Sequence, residues 1–284
     1  MNIVTHISEL RSLLNGHRLA GRRVAVVPTM GNLHSGHIHL VNEAQRHGDI
    51  VVCTIFVNPM QFGKNEDLDA YPRTLAQDAQ KLETAGCTLL FAPPVSEIYP
   101  DGLEQQTVVS VPKLSERHCG ASRPGHFDGV ATVVSKLFNL VQPDTALFGL
   151  KDYQQFRVIT KMVADLCFPI KLIGVETQRE SSGLALSSRN GYLTSDEKQR
   201  AAVLYQTLLE SRVQLQAGSS IEGLESMARV QLEQAGFRPD YYSVCDASTL
   251  EPAQHRDRDL VILAAAWMGK TRLIDNLRVQ LSSR

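Results

Sequence analysis

Two apolar runs, one helix apart, constrain this sequence more than any other feature in it. Residues 24–27 (V-A-V-V) are β-formers, and residues 49–57 (D-I-V-V-C-T-I-F-V) are nearly all apolar. A strand with one wet face alternates, whereas a strand without polar positions is covered on both faces, as in a parallel sheet. Between the runs, Ile38, Val41 and Ala44 share one side of a helix expected to reach about His47. Parallel neighbours need such a crossover, so the spacing predicts a βαβ unit.

The link from the first strand to the helix reads P-T-M-G-N-L-H-S-G-H over residues 28–37. Gly31 punctuates a short turn. His34, Ser35, Gly36 and His37 open the helix. Free N–H groups and the helix dipole at such a start attract phosphate. His34 and His37 are three apart and can face one ligand. Gly36 between them keeps bulk away from the backbone. Two other readings compete. Paired imidazoles can bind zinc, although no third ligand and no nearby Glu is evident. The histidines can also be incidental to a surface turn. These residues alone leave all three open.

Further along, strands and helices alternate. Residues 3–15 read as an amphipathic helix ending near Gly16. Pro59 stops the second strand and leaves Asn58, Met60 and Gln61 at its end. Thr74-Leu75-Ala76-Gln77 fits a capping box, with Gly86 ending that helix. A strand is expected at 88–92, a short one at 107–111, a helix at 130–141 and strands at 144–148 and 170–175. Gly149-Leu150-Lys151-Asp152 turns into a helix reaching about Cys167. The pattern predicts an α/β fold, a doubly wound parallel sheet. Ligands of such sheets bind outside the carboxyl ends of the strands. Residues 29–37, 58–61 and 149–155 all fall at such ends.

Residues 181–190 (S-S-G-L-A-L-S-S-R-N) form a loop of small residues with a lone Arg. Thr194 with Glu197 caps a helix to about Leu215, and another runs to about Ala235. Strands are expected near 241–245, 260–266 and 273–275. The last hundred residues thus read as a smaller α+β domain, giving domains 1–176 and 177–284 with a boundary near 176–190. Gly269-Lys270-Thr271 resembles the end of a P-loop. The earlier glycine that motif needs is Ala264, so a structural turn is expected.

Totals narrow the function classes. A formal net charge of −1 argues against a large nucleic-acid footprint. The apolar run 260–268 is too short to span a bilayer. The first residues do not read as a signal peptide. Five scattered cysteines without a C-x-x-C pair read as reduced thiols. The expectation is a soluble, cytoplasmic protein without a membrane or nucleic-acid partner.

Taken together, H-S-G-H, V-P-T-M-G-N-L-H, F-V-N-P-M-Q-F, Y-P-R-T, R-P-G-H-F, K-D-Y-Q-Q and L-S-S-R-N-G-Y-L resemble the pantothenate synthetase (pantoate–β-alanine ligase) family. That family sits among the H-x-G-H nucleotidyltransferases, and the resemblance spans almost the whole chain. It implies a Rossmann-like nucleotidyltransferase fold and a cytoplasmic homodimer. It implies ATP as substrate, Mg2+ on the phosphates, and pantoate and β-alanine as the groups joined through a pantoyl adenylate.

The resemblance also implies roles. His37 would help pyrophosphate leave, and His34, Lys151, Ser187, Ser188 and Arg189 would share the phosphates. Met30, Gly31, Asn32, Leu33, Ser35, Gly36, Gly149, Leu150, Asp152, Gln178 and Leu186 would complete the ATP contacts. The loop 186–189 would close as a lid. Gln61 and Gln155 would bind pantoate, Gln61 would also touch β-alanine, and Asn58 is a secondary candidate. Asp78 is weighed as a magnesium ligand against a solvated helix carboxylate. Tyr71 and Arg123 are left without roles. Two departures stand out. Leu150 replaces the usual Glu of Gly-Glu-Lys-Asp, and Asp128 stands where a basic or neutral residue is usual. The alternative is another H-x-G-H nucleotidyltransferase acting on a phosphorylated acceptor. A nucleotide- or RNA-binding module without chemistry is a third reading.

Overall fold

A computed structural model describes residues 1–63, 66 and 68–282. The chain divides into two compact units, Met1–Leu150 with Gln155–Glu176, and Lys151–Gln154 with Thr177–Arg284.

The first unit begins with β1 (Asn2–Val4), α1 (Ile7–Leu19), β2 (Val24–Thr29), α2 (Ser35–Ala44) and β3 (Ile50–Ile55). It continues through α3 (Leu75–Thr84), β4 (Leu89–Phe91), and the short helices α4 (Val95–Ile98) and α5 (Cys119–Ser122). Then come α6 (His126–Val141), β5 (Thr145–Gly149), α7 (Tyr153–Asp165, straddling the division) and β6 (Lys171–Val175). The strands form a six-stranded sheet in the order β1-β4-β3-β2-β5-β6, with every pairing parallel. Residues 24–27 are 0% exposed. Ala25 and Val27 pack with Leu40, Val41 and Ala44 of α2 and Leu82 of α3. Alternation turns Val26 to the other face, where α6 packs on β2. Each buried valine contributes about 1.5–3 kcal/mol. From β2 the chain moves out through β3 and β4, then restarts at β5 on the opposite side. The order therefore reverses between β2 and β5, the place where doubly wound sheets open a crevice.

Lys151–Gln154 apart, the second unit contains α8 (Ser195–Ala201), α9 (Val203–Gln216), α10 (Ile221–Gln234), β7 (Phe237–Asp246), β8 (Asp259–Met268) and β9 (Thr271–Gln280). The strands form an antiparallel sheet with β8 in the centre. Leu204, Leu208, Leu224 and Leu232 of the helices cover Tyr242, Ile262, Ala264 and Ala266. The fully buried Tyr242 hydroxyl is satisfied by Ser211 Oγ at 2.7 Å and the Thr207 carbonyl at 3.2 Å. Thr194 and Glu197 form the expected capping box. Met268 pairs with Thr271, so Gly269-Lys270 is a two-residue hairpin loop, with Gly269 at φ +56°.

Some expectations are corrected. The first helix starts later and runs through Gly16 to Leu19, because β1 takes residues 2–4. No strand forms at 107–111; those residues are largely exposed, and the Val109 N–H bonds Thr132 Oγ1 at 2.9 Å instead of a ladder. The Thr74 capping box is absent, since its hydroxyl donates to Asp78 Oδ2 at 3.0 Å. The helix after Thr194 is broken at Ala202. All five cysteines are free; Cys167 is exposed and the others are buried. Burial pushes the Cys53 and Cys87 thiols up.

Candidate active site

The turn after β2 is left-handed twice over, with Gly31 at φ +85° and Asn32 at φ +49°. That region costs a non-glycine residue about 1–3 kcal/mol, and Asn tolerates it better than most. A Cβ on Gly31 would meet Ile55 Cγ2 at 3.0 Å, so a side chain there would be crowded as well as strained. Asp78 of α3 holds the turn. Its Oδ2 accepts from the Asn32 N–H and its Oδ1 from the Leu33 N–H, both at 2.8 Å. The Gly31 N–H goes to Thr29 Oγ1 at 3.2 Å. These three loop N–H groups have partners within the protein, and side chains that could meet an anion stand beside them at the start of α2.

Two of those side chains are the histidines. His34 Nδ1 accepts from the Gly36 N–H at 3.2 Å, and His37 Nδ1 accepts from the His34 N–H at 3.3 Å. A nitrogen that accepts carries no proton, so each neutral ring holds its proton on Nε2. The ring centroids are 4.1 Å apart. Ser35 and Gly36 stand between them on the first turn of α2.

At the end of β3, Gln61 is 8% exposed and Asn58 is 0% exposed. Asn58 Nδ2 donates to Gln61 Oε1 at 3.2 Å and to the Gly129 carbonyl at 3.0 Å. Its Oδ1 accepts from the Tyr99 hydroxyl at 2.8 Å and the Met60 N–H at 3.3 Å. Burial pushes the Tyr99 phenol well up, which keeps it a donor. A Cβ on Gly129 would lie 2.4 Å from the Met60 carbonyl oxygen, so only glycine lets α6 approach this turn. Gln61 Nε2 lies 3.0 Å from Met30 Sδ, joining the two turns.

Arg123 and His126 brace the same turn. His126 Nδ1 lies 2.8 Å from the Gln61 carbonyl oxygen, and Arg123 Nη1 lies 3.0 Å from His126 Nε2. Arginine only donates, so the neutral imidazole carries its proton on Nδ1 and gives it to Gln61. Arg123 also grips Glu66 with Nε at 2.6 Å and with Nη2. Burial raises the Glu66 carboxyl, but the hydrogen bonds and charge of Arg123 outweigh it and hold it below the usual range.

Gly149 ends β5, Leu150 opens the 3-10 turn Leu150–Asp152, and Gln155 lies on the first turn of α7. In the second unit, the Leu186 N–H bonds the Gln178 carbonyl at 2.9 Å and Arg179 bridges Ala185. Ser187 Oγ accepts from the Arg189 N–H at 3.2 Å, opening a 3-10 turn, Ser188–Tyr192. Gln178 and Leu186 are thus paired across a small hairpin, and Ser187, Ser188 and Arg189 follow it directly. Lys151 lies 4.0 Å from the exposed Asp152, and its carbonyl accepts from Asn276 Nδ2 at 2.8 Å.

The family model described as pantoate-beta-alanine ligase matches residues 2–278. The chain belongs to the pantoate–β-alanine ligase family. Pantothenate synthetase of Shewanella sediminis is 60% identical over 271 residues, 95% of this chain and 96% of the relative. That of Pseudomonas putida is 58% identical over 285 residues, covering 100% and 99%. Among solved structures, pantothenate synthetase of Thermus thermophilus has a TM-score of 0.92 at 45% identity, covering 98% of this chain and 99% of that one. The Francisella tularensis pantoate-β-alanine ligase, complexed with β-γ ATP and β-alanine, has a TM-score of 0.82 at 35% identity, covering 98% and 97%.

The ligase family resemblance leads one to expect an acid at position 150. Leu150 is buried there, and a Cβ on Gly174 would touch its Cδ2 at 2.5 Å, so the residue is a packing element. Asp128 Oδ1 is buried with no hydrogen-bond partner. The solvated reading of Asp78 is corrected: it is 0% exposed, and its two oxygens accept from three donors. Among the described residues, no three His, Cys, Asp or Glu side chains come together to hold a metal ion, so the imidazole pair lacks a third zinc ligand.

Sequence reading missed Asp78 as a brace, and it missed Arg179 and Asp275. Arg179 makes a two-point pair with Asp275 at 2.6 and 2.9 Å and lies 3.5 Å over the Tyr205 ring centroid. For Asp78 a signal existed: it lies three residues after Leu75 and four before Leu82, on the apolar side of its own helix.

Proposed function

We propose that the chain activates pantoate with ATP and joins the product to β-alanine. The family match over residues 2–278 carries this reading, and the chemistry of the turns supports it. In the first step a pantoate carboxylate oxygen attacks the α-phosphorus, and the bond to the β-phosphate oxygen breaks. Pyrophosphate leaves. In the second, the neutral β-alanine amine attacks the acyl carbon, AMP departs with the bonding pair, and the nitrogen loses a proton. The carboxylate is already a nucleophile, so positioning and charge stabilisation are what the protein supplies.

The Nε2–H groups of His34 and His37 are the donors proposed for the phosphates, with His37 assisting pyrophosphate departure. Protonating Nδ1 of His37 would break its bond from the His34 N–H. A neutral His37 donating a hydrogen bond leaves the start of α2 intact. Lys151, Ser187, Ser188 and Arg189 are proposed as further phosphate partners, with Gln178 and Leu186 beside the nucleotide. The amides of Gln61 and Gln155 suit pantoate, offering donor and acceptor to hydroxyl and carboxylate. A phosphorylated acceptor would want a cation there, and Arg123, which reaches the Gln61 carbonyl, is already neutralised by Glu66. With Asp78 occupied, magnesium would be held by the triphosphate and water, and would supply charge neutralisation.

The test is pyrophosphate release. ATP with pantoate should give one equivalent per chain, and continuous AMP formation should need β-alanine. No release with pantoate would end the reading. Light scattering tests the homodimer implied by the family. Among the described residues no helix is long and apolar enough to cross a membrane.

A further inference from the structure

Leu33 is held from both sides by one helix. Its N–H donates to Asp78 Oδ1 at 2.8 Å, and its carbonyl accepts from Lys81 Nζ at 2.7 Å. Asp78 and Lys81 are three apart, hence neighbours on one face of α3. Asp78 also binds the Asn32 N–H and is oriented by the Thr74 hydroxyl. A Cβ on Gly31 would lie 3.3 Å from Asp78 Oδ2, so the turn rests directly on the carboxylate. The next residue is His34, the N-cap that aligns both imidazoles.

We propose that Asp78 and Lys81 are positioning residues, a brace by which α3 fixes the turn 31–34 and so aims His34 and His37 at the nucleotide. Neither side chain touches substrate in this scheme. The carboxylate takes two N–H groups that a phosphate would otherwise attract. Its hydrogen bonds, being charge-assisted, hold a backbone that left-handed Asn32 alone would not keep. The lysine locks the remaining polar group of Leu33. The inference rests on the nucleotide reading above, and goes beyond it by placing the control of ATP affinity on a helix outside the turn.

The test measures ATP binding by calorimetry in the full-length chain, then steady-state kinetics. Asp78→Asn keeps shape but sets an amide N–H2 against one backbone donor. Lys81→Met removes the second grip from an exposed position, and it carries the test if Asp78→Asn does not fold. The expected result is an ATP Kd and KM raised tenfold or more for Asp78→Asn and about threefold for Lys81→Met. KM for pantoate and β-alanine should be unchanged in both. Lys81→Arg should restore most of the affinity. Unchanged ATP affinity in folded variants overturns the brace, as does a loss confined to thermal stability. If the unaltered chain binds ATP but releases no pyrophosphate with pantoate, the functional reading fails while the brace is still measured by ATP Kd. If the unaltered chain does not bind ATP, both fall.

Discussion

Gln61 Nε2 lies 3.0 Å from Met30 Sδ, and this contact ties the turn after β3 to the turn after β2. The amide is already oriented before any substrate arrives, because Asn58 holds its oxygen. Gln61→Met keeps the length and removes both polar groups. It leaves the buried Asn58 amide one acceptor short, a cost of about 1–3 kcal/mol. The expected outcome is a ten- to hundredfold loss of kcat/KM for pantoate with ATP KM little changed. Initial rates at saturating ATP check it.

His37→Ala removes one Nε2–H donor and the acceptor of the His34 N–H. Loss of a positioned donor should lower the adenylation rate about a hundredfold or more. Single-turnover pyrophosphate release measures it directly. A wild-type rate would remove His37 from the phosphate chemistry.

Arg179→Ala leaves Asp275, whose side chain is 2% exposed, charged and unpaired beneath the 178–186 hairpin. Breaking a buried pair from one side costs about 3 kcal/mol or more. The urea midpoint should fall, and adding Asp275→Asn should recover part of the loss. A midpoint equal to wild type would mean that water replaces the guanidinium.

Stability in acid should depend on Glu66. Its carboxyl is held below the ordinary value of 4.5, against the opposing effect of burial, by the hydrogen bonds and charge of Arg123. A lowered folded value means the pair stabilises fully above that ordinary value and loses its effect as pH falls through the folded one. Glu66→Gln should therefore lower the melting temperature at pH 7, and the gap from wild type should narrow as pH falls below 4.5. Melting curves across that range decide it.

The legible parts were those where burial writes itself into composition. Apart from Thr29 and Thr54, β2 and β3 are apolar because both faces are covered, and the histidine turn follows from a glycine between them. β1 was not legible, since three residues carry no period. Residues 107–111 look like a strand, yet the Val109 N–H is taken by a side chain, Thr132 Oγ1, and not by a neighbouring strand. Thr74 has the spacing of a cap, but sequence does not say that its hydroxyl prefers a carboxylate four residues on. In the site, His34, His37 and Gln61 could be found because each sits where a strand ends. Asp78 carried one mark in the sequence, its place between Leu75 and Leu82, but that mark does not say what the carboxylate binds. Its importance arises from the Asn32 and Leu33 N–H groups 46 and 45 residues away, a tertiary fact.

The unequal exposure of the thiols has a practical consequence. Cys53 and Cys87 are kept protonated by burial, Cys119 and Cys245 are enclosed, and Cys167 alone is open, in the turn between α7 and β6. A maleimide dye added to the native protein should therefore attach once per chain, at Cys167, and denaturant should unmask the remaining sulfurs. The molecule carries a built-in attachment point for fluorescence, with no engineered cysteine needed.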